Sequence, residues 1–172
     1  PASHDSGTSL GAAIYIASQL GDEVEPMEDV YLGPEFSNKD IEDELKKWNF
    51  PFNYEDDVCR IAADLLNKGK VVGWFHDRME WGPRSLGNRS ILGNPTIRGI
   101  ADKINEQIKF REKWRPFCPS ILEEYTPEIL NSNHPAPFMT MAFRVNSEWS
   151  KKIPEVVHVD GTCRPQVVER DI

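Results

Sequence analysis

The sequence predicts a mixed α/β (α+β) fold. Three observations carry that expectation. Short apolar runs such as VVGWF alternate with stretches whose apolar residues recur at helical spacing. Hydrophobic residues make up 39% and charged residues 28%, which supports a packed core and argues against wholesale disorder. The length of 172 residues suits one domain, or one domain with part of another.

TSLGAAIYIASQL (8–20) reads as a helix with Ser or Thr at its start and Gly21 after its end. The acidic stretch GDEVEPMEDV that follows has neither period and reads as a linker. VYLGP (30–34) reads as a short strand, and Ser37 as the cap of a helix over 38–48. PFNYED is a turn. DDVCRIAADLLNK (56–68) is an amphipathic helix with Val58, Ile61, Ala62, Leu65 and Leu66 on one face, stopped by Gly69. VVGWF (71–75) has a buried-strand pattern, and SIL (90–92) reads as a strand. IRGIADKINEQIK (97–109) is a helix with its isoleucines on one side. RPFCPSIL leads into a strand; 138–145, 156–161 and 165–169 are further strands.

The net charge is −8, which argues against a general nucleic-acid binder. The charge is unevenly spread. Residues 78–115 hold nine Lys or Arg against four acids, so that segment is +5 and the remainder −13. A concentrated basic segment suits a small anionic ligand; a solvated basic helix face is the plainer alternative. Three widely spaced cysteines without a CxxC pair fit reduced thiols in a cytoplasmic protein, not a disulfide framework or zinc knuckle. No apolar run approaches the roughly 20 residues of a membrane span. The N-terminus has no basic region ahead of an apolar stretch and no initiator Met, so an excised piece of a longer protein is expected.

Three stretches carry candidate chemistry. In DRMEWGPRSLGNRS (77–90), Arg78, Arg84 and Arg89 surround Gly82, Pro83 and Gly87. Loops after strands are where α/β proteins hold ligands, and the guanidinium fork suits phosphate or carboxylate oxygens. Alternatively Glu80 pairs with Arg78 or Arg84 and braces the loop. In KFREKWRPFCPS (109–120), Lys109, Arg111, Lys113 and Arg115 alternate and would face one way if the segment is extended. VVHVDGTCRPQVV (156–168) reads as a hairpin turning at DGT, with His158 and Asp160 on one face of its first arm. His158 alone is more often a satisfied core histidine, and Arg164 is either a ligand contact or an edge-strand charge.

RMEWGPRSLGNRSIL, KFREKWRPFCPSILEE and VHVDGTCRPQVV, in that order, closely resemble the C-terminal part of the O-carbamoyltransferase family, which includes nodulation-factor and antibiotic carbamoyltransferases. The first stretch is similar to the family's Gly-Arg-Met-Glu-Phe-Gly-Pro-Arg-Ala-Leu-Gly-Asn-Arg, with Asp77, Trp81 and Ser85 as departures. PASHDSGTSLGAA resembles the last element of the family's first, sugar-kinase/actin-like domain, and Asp5 matches a metal-binding aspartate there. The family's other metal ligands, upstream histidines, are absent, and one carboxylate cannot make a metal site. The resemblance implies a division into 1–21, the tail of that first domain; 22–53, a linker and connecting helix; and 54–172, a YrdC-like domain. That domain would be a twisted mixed sheet flanked by helices. It is expected to be truncated, because an Asn-Thr-Ser-Phe-Asn element of the family is missing.

The resemblance implies that the second domain uses ATP, Mg²⁺ and carbamoyl phosphate to make carbamoyl-adenylate. The first domain, with iron as the expected metal, would pass the carbamoyl group to a hydroxyl of a small molecule. Arg78, Arg84, Lys109 and Arg115 are then the expected catalytic cations. Asn88, Arg89, Lys103, Arg111, His158 and Arg164 are the expected substrate and nucleotide contacts. The runner-up is a YrdC-like RNA-binding module without activity, against which the net charge counts.

Overall fold

The computed structural model describes residues 1–170; the last two residues of the expected second domain, 171 and 172, lie outside the described residues. The mixed α/β class holds. Helices are interleaved with strands that form three two-stranded ladders, two antiparallel and one parallel.

A 3-10 turn at Asp5–Gly7 leads into α1 (Thr8–Gln19), whose cap is Gly7. The helix ends before Gly21, which takes φ +91. No residue of α1 is buried. α2 (Asn38–Lys47) starts at a reciprocal capping box: Ser37 accepts the Asp40 amide and Asp40 accepts that of Ser37. α3 (Val58–Asn67) is capped by Asp57, which accepts the Arg60 amide at 3.0 Å. Of its expected core face only Ala62 is fully buried; Val58, Ile61 and Leu65 remain exposed. The two-stranded hairpin beside it leaves that face uncovered among the described residues.

β1 (Val72–Phe75) and β2 (Arg89–Leu92) pair antiparallel, Val72 opposite Leu92 and Phe75 opposite Arg89. Their connection, residues 76–88, is the arginine-rich loop. α4 (Ile100–Gln107) starts three residues later than expected, because residues 94–99 form a turn. In that turn Asn94 Oδ1 accepts the Thr96 amide at 3.0 Å, and Gly99 takes φ +82. α4 lies close on the exit of β2: a Cβ at Gly93 would sit 3.0 Å from Ile104.

β3 (Ser120–Leu122), α5 (Thr126–Leu130), β4 (Phe143–Arg144), α6 (Ser147–Lys152), β5 (Thr162–Cys163) and β6 (Gln166–Val168) complete the chain. β3 pairs parallel with β6, and β4 antiparallel with β5. The main core gathers Ile121, Ile129, Leu130, Val145, Ile153, Val156 and Cys163; Val30, Leu86 and Met139 form a second cluster.

Four expectations are corrected. VYLGP is not a strand, although Val30 is buried and its carbonyl accepts the Trp81 amide at 2.7 Å. The strand expected over 138–145 is confined to Phe143–Arg144, because Met139 turns the chain with φ +52. Residues 156–161 are not a strand: Pro154 opens a 3-10 turn through Val156, and the Gly161 amide then bonds to the His158 carbonyl at 2.9 Å. The hairpin expected at DGT therefore does not form. Its second arm divides, Thr162–Cys163 joining β4 and Gln166–Val168 joining β3.

Candidate anion site on three converging motifs

The arginine-rich loop is organised around a carboxylate. Glu80 is 9% exposed. Its Oε1 accepts the amides of Leu86 at 2.8 Å, Asn88 at 2.8 Å and Arg89 at 3.2 Å. Burial works to raise its pKa, but the amides of Leu86, Asn88 and Arg89 outweigh that and hold it below the ordinary glutamate value. Gly82 at φ +114 and Gly87 at φ +118 let the loop fold back on this carboxylate. Glu80 thus braces the loop through backbone amides, not through an arginine side chain.

Two of the three arginines are turned to the same purpose. Arg78 donates to the carbonyls of Gly33 at 3.3 Å and Leu32 at 3.4 Å, tying the loop to residues 30–34. That approach requires Gly33, where a Cβ would lie 2.8 Å from Met79. Arg89 donates to the carbonyls of His76, Asn88 and Asp77 and stacks on Phe75, 3.6 Å from the ring centre. Asn88 donates its side-chain amide to the Arg78 carbonyl at 2.8 Å. Arg84 is exposed and has no hydrogen bond or ion pair among the described residues. The loop therefore holds one guanidinium uncommitted among the described residues, on a frame tied by hydrogen bonds. Tyr31 and Gln166 fix that frame to the fold by both donating to the Leu86 carbonyl at 2.8 Å.

The second motif is not extended, so its four cations do not share one face. Phe110 turns the chain with φ +46. Lys113 leaves to pair with Glu106 at 2.6 Å. Arg111 and Arg115 remain close enough to act on Lys109, and Arg115 on Arg111. Burial first, then the charges of Arg111 and Arg115, push Lys109 below the ordinary lysine value. Burial first, then Arg115, lower Arg111, with Glu112 and Cys118 acting the other way. Among the described residues the carboxylate that touches this group is Glu112, 4.0 Å from Arg115.

Asn105 organises this loop, and sequence reasoning missed it. It is fully buried (0% exposed) in α4. Its side chain accepts from Arg111 Nε at 2.6 Å and donates to the carbonyls of Lys113 at 3.2 Å and Arg115 at 3.1 Å. The available signal was a polar residue beside Ile104 on the apolar side of the helix. Lys103, on the same helix, is exposed and has no hydrogen bond or ion pair among the described residues.

The third motif meets the second at two places. Arg164 Nη2 donates to the Cys118 thiol at 3.3 Å, while its Nε is buried with no partner among the described residues. A groove of about 330 Å³ is lined by Ala101, Trp114, Arg115, Glu155, Val157 and His158, among others. His158 Nδ1 lies 3.2 Å from Thr162 Oγ1, and its Nε2 is also buried without a partner among the described residues. Asp160 accepts the hydroxyl of Thr162 at 2.7 Å and its amide at 3.0 Å, which hold its carboxyl below the ordinary value. Asp5 lies exposed in its 3-10 turn, and no group of three or more His, Cys, Asp or Glu that could hold a metal occurs among the described residues. A single carboxylate does not fit a metal centre. No helix of the described residues is long and apolar enough to cross a membrane.

Comparison with known proteins accords with this arrangement. Residues 63–172 match the family model described as Carbamoyltransferase C-terminus. Nodulation protein NolO of Bradyrhizobium diazoefficiens is 41% identical over 178 residues, covering 99% of this chain and 32% of that protein. Nodulation protein NolNO of Sinorhizobium fredii is 42% identical over 180 residues, covering 100% of this chain and 26% of that protein. The uncharacterized protein MJ1058 of Methanocaldococcus jannaschii is 41% identical over 177 residues, covering 98% of this chain and 29% of that protein. The chain thus spans about a third or less of the length of these relatives. With its three basic motifs inside the matched region, the chain belongs to the carbamoyltransferase family, in its C-terminal part.

Proposed function

We propose that this chain is the activating part of an O-carbamoyltransferase: it binds ATP and carbamoyl phosphate and forms carbamoyl-adenylate. The balance is one water consumed, with phosphate and pyrophosphate released. The carbamoyl group then passes to a hydroxyl of a small molecule on the remainder of the polypeptide, whose preceding domain would end at about residue 21. Mg²⁺ would arrive with the nucleotide, held by its phosphates, and would add to the screening of their charge. One observation carries the reading. Arg111 and Arg115 are both tied to Asn105 on one short loop with Lys109, with Glu112 as the flanking carboxylate among the described residues, next to a motif in which Arg164 Nε is buried without an acceptor among those residues. A buried donor left unpaired costs about 1–3 kcal/mol, and an anion removes that cost. Preorganised cations of this kind stabilise charge that builds on phosphoryl oxygens. The test is carbamoyl-phosphate-dependent exchange of labelled pyrophosphate into ATP, together with the melting temperature with each ligand. Absence of exchange, with a melting temperature that neither ligand moves, refutes the reading.

A further inference from the structure

Among the described residues, two buried side-chain atoms lack a hydrogen-bond partner, and both lie in the third motif: Arg164 Nε and His158 Nε2. They make opposite demands. Arg164 Nε is a donor and calls for an oxygen. What His158 Nε2 calls for depends on its tautomer, and the neighbours decide that. Ionised Asp160 can only accept, so the Thr162 hydroxyl points its hydrogen at Asp160 Oδ1, 2.7 Å away. Thr162 Oγ1 is then left as an acceptor toward His158 Nδ1, 3.2 Å away, so Nδ1 carries the ring proton. With the proton on Nδ1, the ring's lone pair sits on Nε2, buried, in a side chain that lines the groove shared with Arg115. Glu155, on the same groove, is already engaged with the Ala101 amide at 3.0 Å.

A lone pair in that position asks for a ligand N–H. Resting on the function proposed above, we propose that His158 Nε2 accepts a hydrogen bond from the –NH₂ of the carbamoyl group and so selects carbamoyl phosphate over acyl phosphates. The amino group is what separates carbamoyl phosphate from acetyl phosphate, which has a methyl group in its place. It also separates it from a carboxylated phosphate, whose oxygen anion the lone pair repels. A groove of about 330 Å³ suits a small phosphorylated ligand. A site built to hydrogen-bond a ligand N–H rejects the analogue that lacks it, because its own buried acceptor is then left unpaired. The amino group of adenine offers the same chemistry on a larger ligand, and the experiment separates the two.

Binding of carbamoyl phosphate, acetyl phosphate, ATP and inosine triphosphate is measured by calorimetry for the wild type, His158→Asn and His158→Gln. The protein is this chain or, where its gene encodes more, the whole polypeptide. The asparagine amide reaches the Nδ1 position and keeps the bond to Thr162 but has nothing at Nε2. Glutamine reaches the Nε2 position and can present a carbonyl there. Melting temperatures confirm that each variant is folded. The wild type is expected to prefer carbamoyl over acetyl phosphate by about tenfold or more. His158→Asn should bring the two within about twofold by weakening carbamoyl phosphate alone, and His158→Gln should restore part of the preference. ATP affinity should not change. The assignment is overturned if the wild type binds both acyl phosphates alike, or if its preference survives in His158→Asn. It is also overturned if His158→Asn instead abolishes a preference for ATP over inosine triphosphate. A wild type that binds neither carbamoyl phosphate nor ATP removes the functional reading itself, and this assignment with it.

Discussion

Replacing Glu80 should damage the arginine-rich loop out of proportion to the size of the change. One oxygen of this carboxylate collects three backbone amides, at 2.8, 2.8 and 3.2 Å. Glu80→Ala leaves those donors without a partner inside a folded loop. At about 1–3 kcal/mol for each buried donor, and with water able to reach the less buried ones, the expected loss is about 3–5 kcal/mol. Glu80→Gln keeps an acceptor but loses the charge, and should cost about 1–2 kcal/mol. At about 3 °C per kcal/mol for a chain of this size, melting temperatures should fall by about 10 °C and about 5 °C. The sign with pH follows from the lowered folded-state pKa. The carboxylate's contribution is full above its unfolded value near 4.3 and is lost as pH falls through the lower folded value. The wild type should therefore lose its advantage over Glu80→Gln on acidification below about pH 4. Denaturant and thermal unfolding at neutral and acid pH measure both effects. A Glu80→Ala protein within about 1 kcal/mol of wild type would show that the three amides do not depend on this residue.

Arg84→Ala should leave the melting temperature unchanged, since Arg84 has no partner among the described residues, while affinity for ATP or carbamoyl phosphate falls by about 1.5–3 kcal/mol. Arg84→Lys should recover only part of that; a lowered melting point with intact affinity would make Arg84 a brace instead. Asn105→Leu, measured by unfolding and by ligand calorimetry, should cost about 2–4 kcal/mol of stability and weaken anion binding, because the 109–115 loop loses its buried anchor. Titration at increasing salt should show only a shallow fall in affinity for ATP, and a steep one for any RNA, by counterion release; an RNA bound more tightly than ATP at physiological salt would favour the RNA-binding alternative.

Local signals made α2 and α3 legible: Ser37 and Asp57 cap them, and Gly69 turns the chain away with φ +73. β1 and β2 were equally plain, because apolar runs flank a loop rich in turn residues. What failed was non-local. Gln166–Val168 looks like the second arm of a hairpin because Val156 and Val157 precede it, yet its partner is Ser120–Leu122. No spacing rule reports a parallel pairing across so long a crossover. The alternation of Lys109, Arg111, Lys113 and Arg115 was a true pattern with the wrong geometry, since Phe110 and Asn105 coil the segment. The residue types of the site were readable, but the division of labour was not. Arg78, Arg89 and Asn88 are committed to carbonyls of their own and neighbouring loops, which becomes visible only once residues 30–34 are seen against residues 78–81.

The parallel pairing of β3 with β6 also sets a schedule. Protein synthesis delivers Lys109, Arg111 and Cys118 well before Arg164, and β3 has no ladder partner until Gln166–Val168 has been made. Contacts of such long sequence separation form late and slowly. During synthesis the nascent chain thus carries half of the proposed anion site with β3 still unpaired. A ribosome-bound intermediate halted before residue 160 should show protected β1–β2 amides but no response to carbamoyl phosphate. Ligand capture would then follow the pairing of β3 with β6.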